Sequence, residues 1–141
     1  MPQIESAYVD TGKVRYLFRA VFIDQYPETR LAVEALYCAG EQGKFWEMHD
    51  WLYTNAEDWP YAHDVAQFLA QQAAPKLGLD GAALETCLRQ ERYRSRVEGL
   101  QKRMAARGID RTPSFLINGR LVSGAQPFDE FRRIIEEELA K

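Results

Sequence analysis

The spacing of apolar residues predicts a mostly helical chain that ends in a β-hairpin and a final helix. Apolar side chains recur three or four positions apart, as they do along one face of an amphipathic helix. This period covers four long segments: residues 27–59, 63–77, 82–90 and 93–107. Glycine and proline lie at their predicted ends, and Pro75 is expected to cut the second segment short. A shorter helix is predicted over residues 2–9, before the turn Asp10-Thr11-Gly12.

One segment near the N-terminus follows the two-residue period of a β-strand instead. Apolar or aromatic side chains alternate with mostly charged ones in the order Val14, Arg15, Tyr16, Leu17, Phe18 and Arg19. We expect a strand in the same sheet layer as the hairpin, with one face more solvated than in a fully buried parallel strand. Residues 20–26 are predicted to form a loop, and Pro27 marks the start of the next helix.

The strongest local signal is the hairpin near the C-terminus. Phe115 to Ile117 are β-forming residues, Asn118-Gly119 favours a two-residue turn, and Leu121-Val122 resume the extended pattern. Pro113 stands at the start of the first strand, where a missing N–H costs little. Pro127 then opens a helix that carries one apolar face up to residue 139.

Composition is that of one domain with a sizeable core. The chain has 141 residues, of which 46% are hydrophobic and 12% aromatic. The net charge of the chain is -3, and lysine and arginine residues are mixed with aspartate and glutamate residues along the helices. Such a surface argues against nucleic acid and anionic membranes as partners. No apolar run is long enough to span a bilayer. The N-terminus lacks the basic cluster and apolar core of a signal peptide. The sequence does not indicate the cellular compartment of the protein.

The order Thr-Pro, strand, Asn-Gly turn, strand and helix resembles the second half of a thioredoxin fold, in particular its DsbA-like branch. Thr112-Pro113-Ser114-Phe115-Leu116-Ile117-Asn118-Gly119 resembles that family's cis-proline loop and hairpin. Residues 38–50 resemble its first inserted helices, so the resemblance runs from about Ile4 to Leu139. It implies an α/β, thioredoxin-like fold in a single domain, residues 1–141. A helical insertion would cover about 27–107, and the loop, hairpin and last helix would cover 111–141.

The family's redox motif, Cys-x-x-Cys, does not occur in this sequence. In the family it follows a central strand that lies between the strand matching residues 14–18 and the first hairpin strand. The resemblance therefore implies an N-terminally incomplete fold with two unsatisfied rows of backbone groups. One expectation is a shortened disulfide oxidoreductase in which Met1 is an internal methionine. The other is a redox-inactive module that binds peptides and obtains its missing strand from a partner or a swapped dimer.

Thr112 and Pro113 are the predicted substrate-binding residues. On general grounds Pro113 would be a strand-edge proline in trans. The resemblance implies instead that the Thr112-Pro113 bond is cis and that the backbone beside it pairs with an extended substrate chain. Extended or unfolded proteins would then be the substrates, and a redox protein a further partner. No cofactor is implied.

Cys38 and Cys87 lie on core-facing helical positions, where a free cysteine usually behaves as a small hydrophobe. The resemblance implies the alternative of a structural disulfide, which requires Cα atoms about 4.4 to 6.8 Å apart. The sequence leaves both open. Catalysis by either is not expected, because reactive thiols lie at exposed helix N-termini and Cys38 is near a helix C-terminus, which disfavours a thiolate. No catalytic residue is predicted in this chain.

A metal site is not predicted either. The order Cys38, His49, His63, Cys87 lacks the close paired spacings of structural zinc sites. His49 is instead expected to pack within an aromatic stripe. Gly40-x-x-Gly43 is interpreted as a helix break, because no lysine followed by serine or threonine accompanies it as in a phosphate-binding loop.

Overall fold

A computed structural model describes residues 2–22, 24 and 26–141. The chain divides into two compact units. We call Met1–Arg19 with Met104–Lys141 the hairpin unit, and Ala20–Arg103 the helical unit. The expectations about Met1 and about loop positions Ile23 and Gln25 lie outside the described residues.

The helices and the hairpin follow the predicted order, but the predicted strand at residues 14–19 is absent. In chain order they are α1 (Pro2–Ile4), α2 (Pro27–Glu41), α3 (Phe45–Thr54), α4 (Val65–Phe68), α5 (Ala74–Leu77), α6 (Gly81–Arg89), α7 (Arg94–Ala105), β1 (Ser114–Ile117), β2 (Arg120–Ser123) and α8 (Phe128–Leu139). Two π-helical turns, Glu5–Val9 and Leu69–Ala73, extend α1 and join α4 to α5. Within the described residues, no helix combines the length and apolar character needed to cross a membrane.

The helical unit is built on helices whose ends the sequence marks clearly. Pro27 occupies the first turn of α2, and the helix ends before Gly43, whose φ is 74°. Asp80 caps α6, as predicted, because its Oδ1 accepts a hydrogen bond from the Ala83 N–H at 3.0 Å. The unit's largest fully buried apolar side chains are Met48, Leu69, Leu84, Leu88 and Val97.

The prediction that Pro75 shortens its helix is wrong. The helical segment continues from α4 through the π-helical turn Leu69–Ala73 into α5 and ends only at Gly78, which has φ 68°. In a regular α-helix the proline ring would clash with the carbonyl four residues earlier. The π turn changes that spacing locally, so Pro75 falls in the first turn of α5, where its missing N–H is tolerated. The segment predicted to run to Trp59 also ends earlier, because α3 stops at Thr54.

The hairpin unit contains the predicted β-hairpin. β1 and β2 are antiparallel, with Leu116 opposite Leu121 and Ile117 opposite Arg120. Asn118 and Gly119 form the turn with φ of 48° and 91°, the positive values that a tight hairpin turn requires. The predicted last helix is present as α8, with Pro127 as its N-cap and not in its first turn as predicted.

Residues 14–19 do not form the predicted strand. They belong to an irregular segment, residues 14–20, that is neither helix nor strand. The predicted alternation of burial is nevertheless present, with Val14, Tyr16 and Phe18 partly buried and Arg15, Leu17 and Arg19 exposed. A period of two determines which side chains point inward, whereas a strand also needs a neighbouring strand to share ladder hydrogen bonds. The described residues contain one sheet, and it consists of β1 and β2 alone.

Candidate functional site

The candidate site is the loop that leads into β1. The Thr112-Pro113 peptide bond is cis, as predicted, and Arg111, Thr112 and Pro113 are exposed. Ser114 Oγ donates a hydrogen bond to the Arg111 carbonyl at 2.7 Å and so ties the loop to the strand. Within the described part of the chain, no hydrogen bond involves the backbone of Thr112. The loop therefore presents backbone groups that are open to a ligand.

The pairing of the hairpin determines which backbone groups of β1 face outward. The Gly124 N–H donates to the Pro113 carbonyl at 2.8 Å, and the two-residue turn is closed by Ile117 and Arg120. Because antiparallel pairs alternate, Pro113, Phe115 and Ile117 direct their backbone groups toward β2. Ser114 and Leu116 direct theirs away from it. Thr112, Ser114 and Leu116 thus define the open edge of β1, two residues apart.

The other strand also has an outer edge, formed by Leu121 and Ser123. Part of it is occupied, because Gln126 Nε2 donates to the Ser123 carbonyl at 3.0 Å. Charges lie next to it, since Arg120 pairs with Glu137 at 2.8 Å. Such capping and charge are the usual means by which proteins protect a strand edge. The edge of β1 is therefore the more available of the two.

The open edge is supported by packed side chains on one face of the hairpin. The ring of Phe115 packs edge-on against Phe131 of α8, with centroids 4.7 Å apart. Phe131 belongs to a buried cluster with Ile4, Tyr8 and Ile135. Ile117 and Val122 pack against the same cluster. These contacts fix the position of β1, so the edge groups have a defined direction.

Tyr8 also contributes a polar contact to this support. Its hydroxyl donates to Glu136 Oε1 of α8 at 2.8 Å. Burial is the main cause that raises the pKa of Tyr8, and the bond to Glu136 adds to it. The contact joins α1, through its π-helical extension, to α8 and satisfies a buried hydroxyl.

The opposite face of the hairpin is apolar and exposed. Leu116 and Leu121 are cross-strand partners, and each is 44% exposed. They form a pair without mutual backbone hydrogen bonds, the type in which side chains approach most closely. The open edge therefore lies beside a small apolar surface.

Cys38 and Cys87 are joined by a disulfide between α2 and α6. The Cα atoms are 6.0 Å apart, inside the predicted range, and each residue is only 1% exposed. Of the two arrangements that the sequence left open, the structure has the bridge. Both cysteines are near helix C-terminal ends, and neither sulfur is presented to solvent.

Comparison with known proteins agrees with the resemblance found in the sequence. The sequence profile of the family described as Thioredoxin matches residues 1–137. The chain belongs to the thioredoxin family. Disulfide bond formation protein D of Bacillus subtilis is 24% identical over 98% of this chain and 63% of its own length. A probable disulfide bond formation protein D of Bacillus cereus is 25% identical over 100% of the chain and 65% of its own length. These relatives place the chain in the DsbA-like branch.

A second group of relatives of this thioredoxin-family chain is much longer. Na(+)/H(+) antiporter NhaA 3 of Salinispora tropica is 32% identical over 84% of this chain, but the match covers only 18% of the antiporter. The chain thus spans about a fifth of the antiporter's length and less than two thirds of the disulfide bond formation proteins. No solved structure matches it significantly.

His49 and the two cysteines of this thioredoxin-family chain each have a partner in the structure. His49 lies on α3 between the rings of Trp46 and Tyr53, at centroid distances of 5.3 and 4.9 Å. Its Nδ1 is 2.9 Å from Asp50 Oδ1. Cys38 and Cys87 are committed to their bridge. Among the described residues, no group of three or more His, Cys, Asp or Glu side chains is arranged to hold a metal ion.

One buried charge was not anticipated from the sequence. Glu34 lies in the apolar run of α2, is fully buried, and forms an ion pair with Arg30 one turn earlier. Its second oxygen has no hydrogen-bond partner among the described residues. Burial raises the pKa of the Glu34 carboxyl, and the guanidinium of Arg30 opposes that rise. The spacing of Arg30 and Glu34, four residues apart, was the available signal.

Proposed function

We propose that this chain is the polypeptide-binding part of a DsbA-like disulfide oxidoreductase, acting as a single domain over residues 1–141. In this chain an extended or unfolded protein would pair with Thr112, Ser114 and Leu116 along the open edge of β1, which is the edge that the family's central strand would otherwise take. Pro113 would contact the same ligand. The chain itself would catalyse no thiol exchange on its polypeptide ligand, and a redox protein would be a further partner.

The observation that carries this proposal is the open edge. Its backbone groups recur every second residue, which is the spacing at which an added strand presents its own N–H and C=O groups. Backbone pairing does not depend on the side chains of the ligand. An edge of this kind therefore suits a protein that handles many different unfolded substrates.

The surface beside the edge supports the same ligand class. Alternate side chains of an added strand would project over Leu116, which is 44% exposed and lies opposite Leu121 in the hairpin. Unfolded proteins expose apolar side chains, and burying them against two leucines is favourable. We expect the site to prefer extended segments that contain apolar residues.

The same edge also supports a second candidate function, that of a redox-inactive module completed by a strand from outside the chain. The donor would be a partner protein or a second copy in a swapped dimer. The donated strand would pair with Ser114 and Leu116, and an extended peptide would bind at the loop formed by Thr112 and Pro113. Sedimentation of the purified chain detects completion by a second copy, because a swapped dimer forms only in that case.

A proline scan of the two strands tests peptide binding. Leu116→Pro removes an outward N–H of β1 and spares the ladder to β2, so affinity for a fluorescent extended peptide should fall about tenfold. Leu121→Pro is the matched control, because it removes an equivalent outward N–H on the other edge. Fluorescence anisotropy measures both affinities.

The ligand provides an independent control. The same peptide with all its amides N-methylated has lost every backbone donor and should bind weakly to the unmodified protein. An equal loss of affinity in Leu116→Pro and Leu121→Pro, or full binding of the N-methylated peptide, would show that the open edge is not the binding site.

A further inference from the structure

Two sets of polar contacts tie α2 to the segment that follows α6, in parallel with the disulfide. We call them the first tie, formed by Arg30, Glu34 and Glu91, and the second tie, formed by Glu41, Arg92 and Tyr93. Each involves a residue of α2 and a residue of 91–93. All of them belong to the helical unit.

The first tie is centred on a guanidinium that bridges two carboxylates. Arg30 pairs with the fully buried Glu34 through Nη1 and lies 3.4 Å from Glu91 Oε1 through Nη2. Glu91 has φ 48°, a left-handed conformation that costs energy in a residue other than glycine. Arg94 also holds its carboxylate, at 2.9 Å. The carboxylate contacts of Glu91 with Arg30 and Arg94 offset part of that cost.

The second tie is centred on Glu41, near the end of α2. Glu41 accepts hydrogen bonds from Arg92 Nη1 at 2.7 Å and from the Tyr93 hydroxyl at 2.9 Å. These two bonds are the main causes that lower the pKa of the Glu41 carboxyl. The ring of Tyr93 stacks on Tyr37 of α2, with centroids 5.4 Å apart. Tyr37 therefore reinforces this tie.

The two ties flank the cysteines. Cys38 lies on α2 between Glu34 and Glu41, and Cys87 lies near the end of α6, just before the turn that contains Glu91. The disulfide and the ties therefore join the same two segments. Arg30 and Glu34 both lie on α2, so their ion pair orients the Arg30 guanidinium, and the contact from Arg30 to Glu91 is what joins α2 to the segment after α6.

We propose that the two ties keep Cys38 and Cys87 adjacent when their bond is reduced, and that Arg30 is a positioning residue for bridge formation. The pair is then a reversible dithiol and disulfide within a helical unit that stays folded in both states. In exchange with oxidised glutathione, the two thiols lose two protons and two electrons and form one S–S bond. The glutathione disulfide accepts them and yields two thiols.

The proposal follows from thermodynamic linkage. A contact that aligns the two segments in the reduced chain lowers the conformational entropy that is lost when the disulfide forms. It therefore raises the effective concentration of one thiol at the other. A contact elsewhere in the unit stabilises the reduced and oxidised states equally and leaves the effective concentration unchanged. Comparing variants of the two kinds separates alignment from general stability.

The test is a redox titration of the 141-residue chain in glutathione buffers, with the thiols counted by alkylation and mass spectrometry. Arg30→Gln and Arg92→Gln should each lower the effective concentration about fivefold or more. The matched control is Arg89→Gln. Arg89 is on α6 two residues after Cys87, but it pairs with Asp64 and Glu85, at 2.6 and 2.8 Å, and with neither tie.

If Arg30→Gln fails to fold, two other variants and a spectroscopic measurement still test the proposal. Arg30→Lys keeps the charge beside Glu34 and should recover most of the effective concentration. Arg92 is 44% exposed at its side chain, so its substitution does not threaten the core. Circular dichroism of the reduced chain should show the helix content of the oxidised chain. An equal effect of Arg89→Gln, no effect of Arg92→Gln, or loss of helix on reduction would overturn the proposal.

Discussion

Insulin reduction by dithiothreitol is expected to proceed at its uncatalysed rate in the presence of the 141-residue chain. Catalysed exchange needs an exposed thiolate and usually a second thiol that resolves the mixed disulfide. The chain has two cysteines, both 1% exposed and both in the bridge between α2 and α6. Their positions near helix C-terminal ends also disfavour a thiolate after reduction. We therefore expect no turnover above background.

A thioredoxin that carries Cys-x-x-Cys serves as the positive control in this turbidity assay. The Cys38→Ser variant should match the unmodified chain, because neither is active. Turnover by the unmodified chain that disappears in Cys38→Ser would contradict the account, since it would assign redox chemistry to a bridge that we describe as closed to substrates.

Phe131→Ala is expected to destabilise the hairpin unit by about 3 to 5 kcal/mol, the usual cost of removing a buried phenyl ring. Phe131 is 5% exposed and packs with Ile4, Tyr8 and Ile135. It also carries the edge-on contact with Phe115 of β1. The substitution should therefore lower peptide affinity as well, although the ring lies on the opposite face of the hairpin from the exposed leucines. Urea unfolding measures the first effect and anisotropy the second.

The matched control for this substitution is on the same helix. Leu139 of α8 is 45% exposed, so Leu139→Ala should change the free energy of unfolding by only about 0.5 kcal/mol. Equal destabilisation by the two variants would show that the cluster around Phe131 does not support the hairpin.

The helices and the hairpin could be predicted because their signals are local. Pro27, the Asp80 cap and the Asn118-Gly119 turn act within a few residues, and the structure has each element where they indicate it. The resemblance added the cis bond at Thr112-Pro113, which periodicity alone did not indicate. The role of Thr112 and Pro113 in substrate binding stays a prediction.

The remaining features depend on contacts distant in sequence. Residues 14–19 have the expected alternation of burial, but a strand exists only where another strand pairs with it. The bridge between Cys38 and Cys87 required α2 and α6 to be adjacent, which the helical period does not specify. The link from Arg30 to Glu91 spans 61 positions and was missed for the same reason. Pro75 was misjudged because a π turn is not visible in the pattern.

Amide hydrogen exchange in the presence of a saturating extended peptide tests the open edge of β1 most directly. The N–H groups of Ser114 and Leu116 face away from β2, so they should exchange rapidly in the free protein and slowly in the complex. The N–H groups of Leu121 and Ser123, on the other edge, should exchange at the same rate in both. Protection of Leu121 and Ser123 instead, or unchanged exchange at Ser114 and Leu116 when the peptide is bound, would contradict polypeptide binding by the edge of β1.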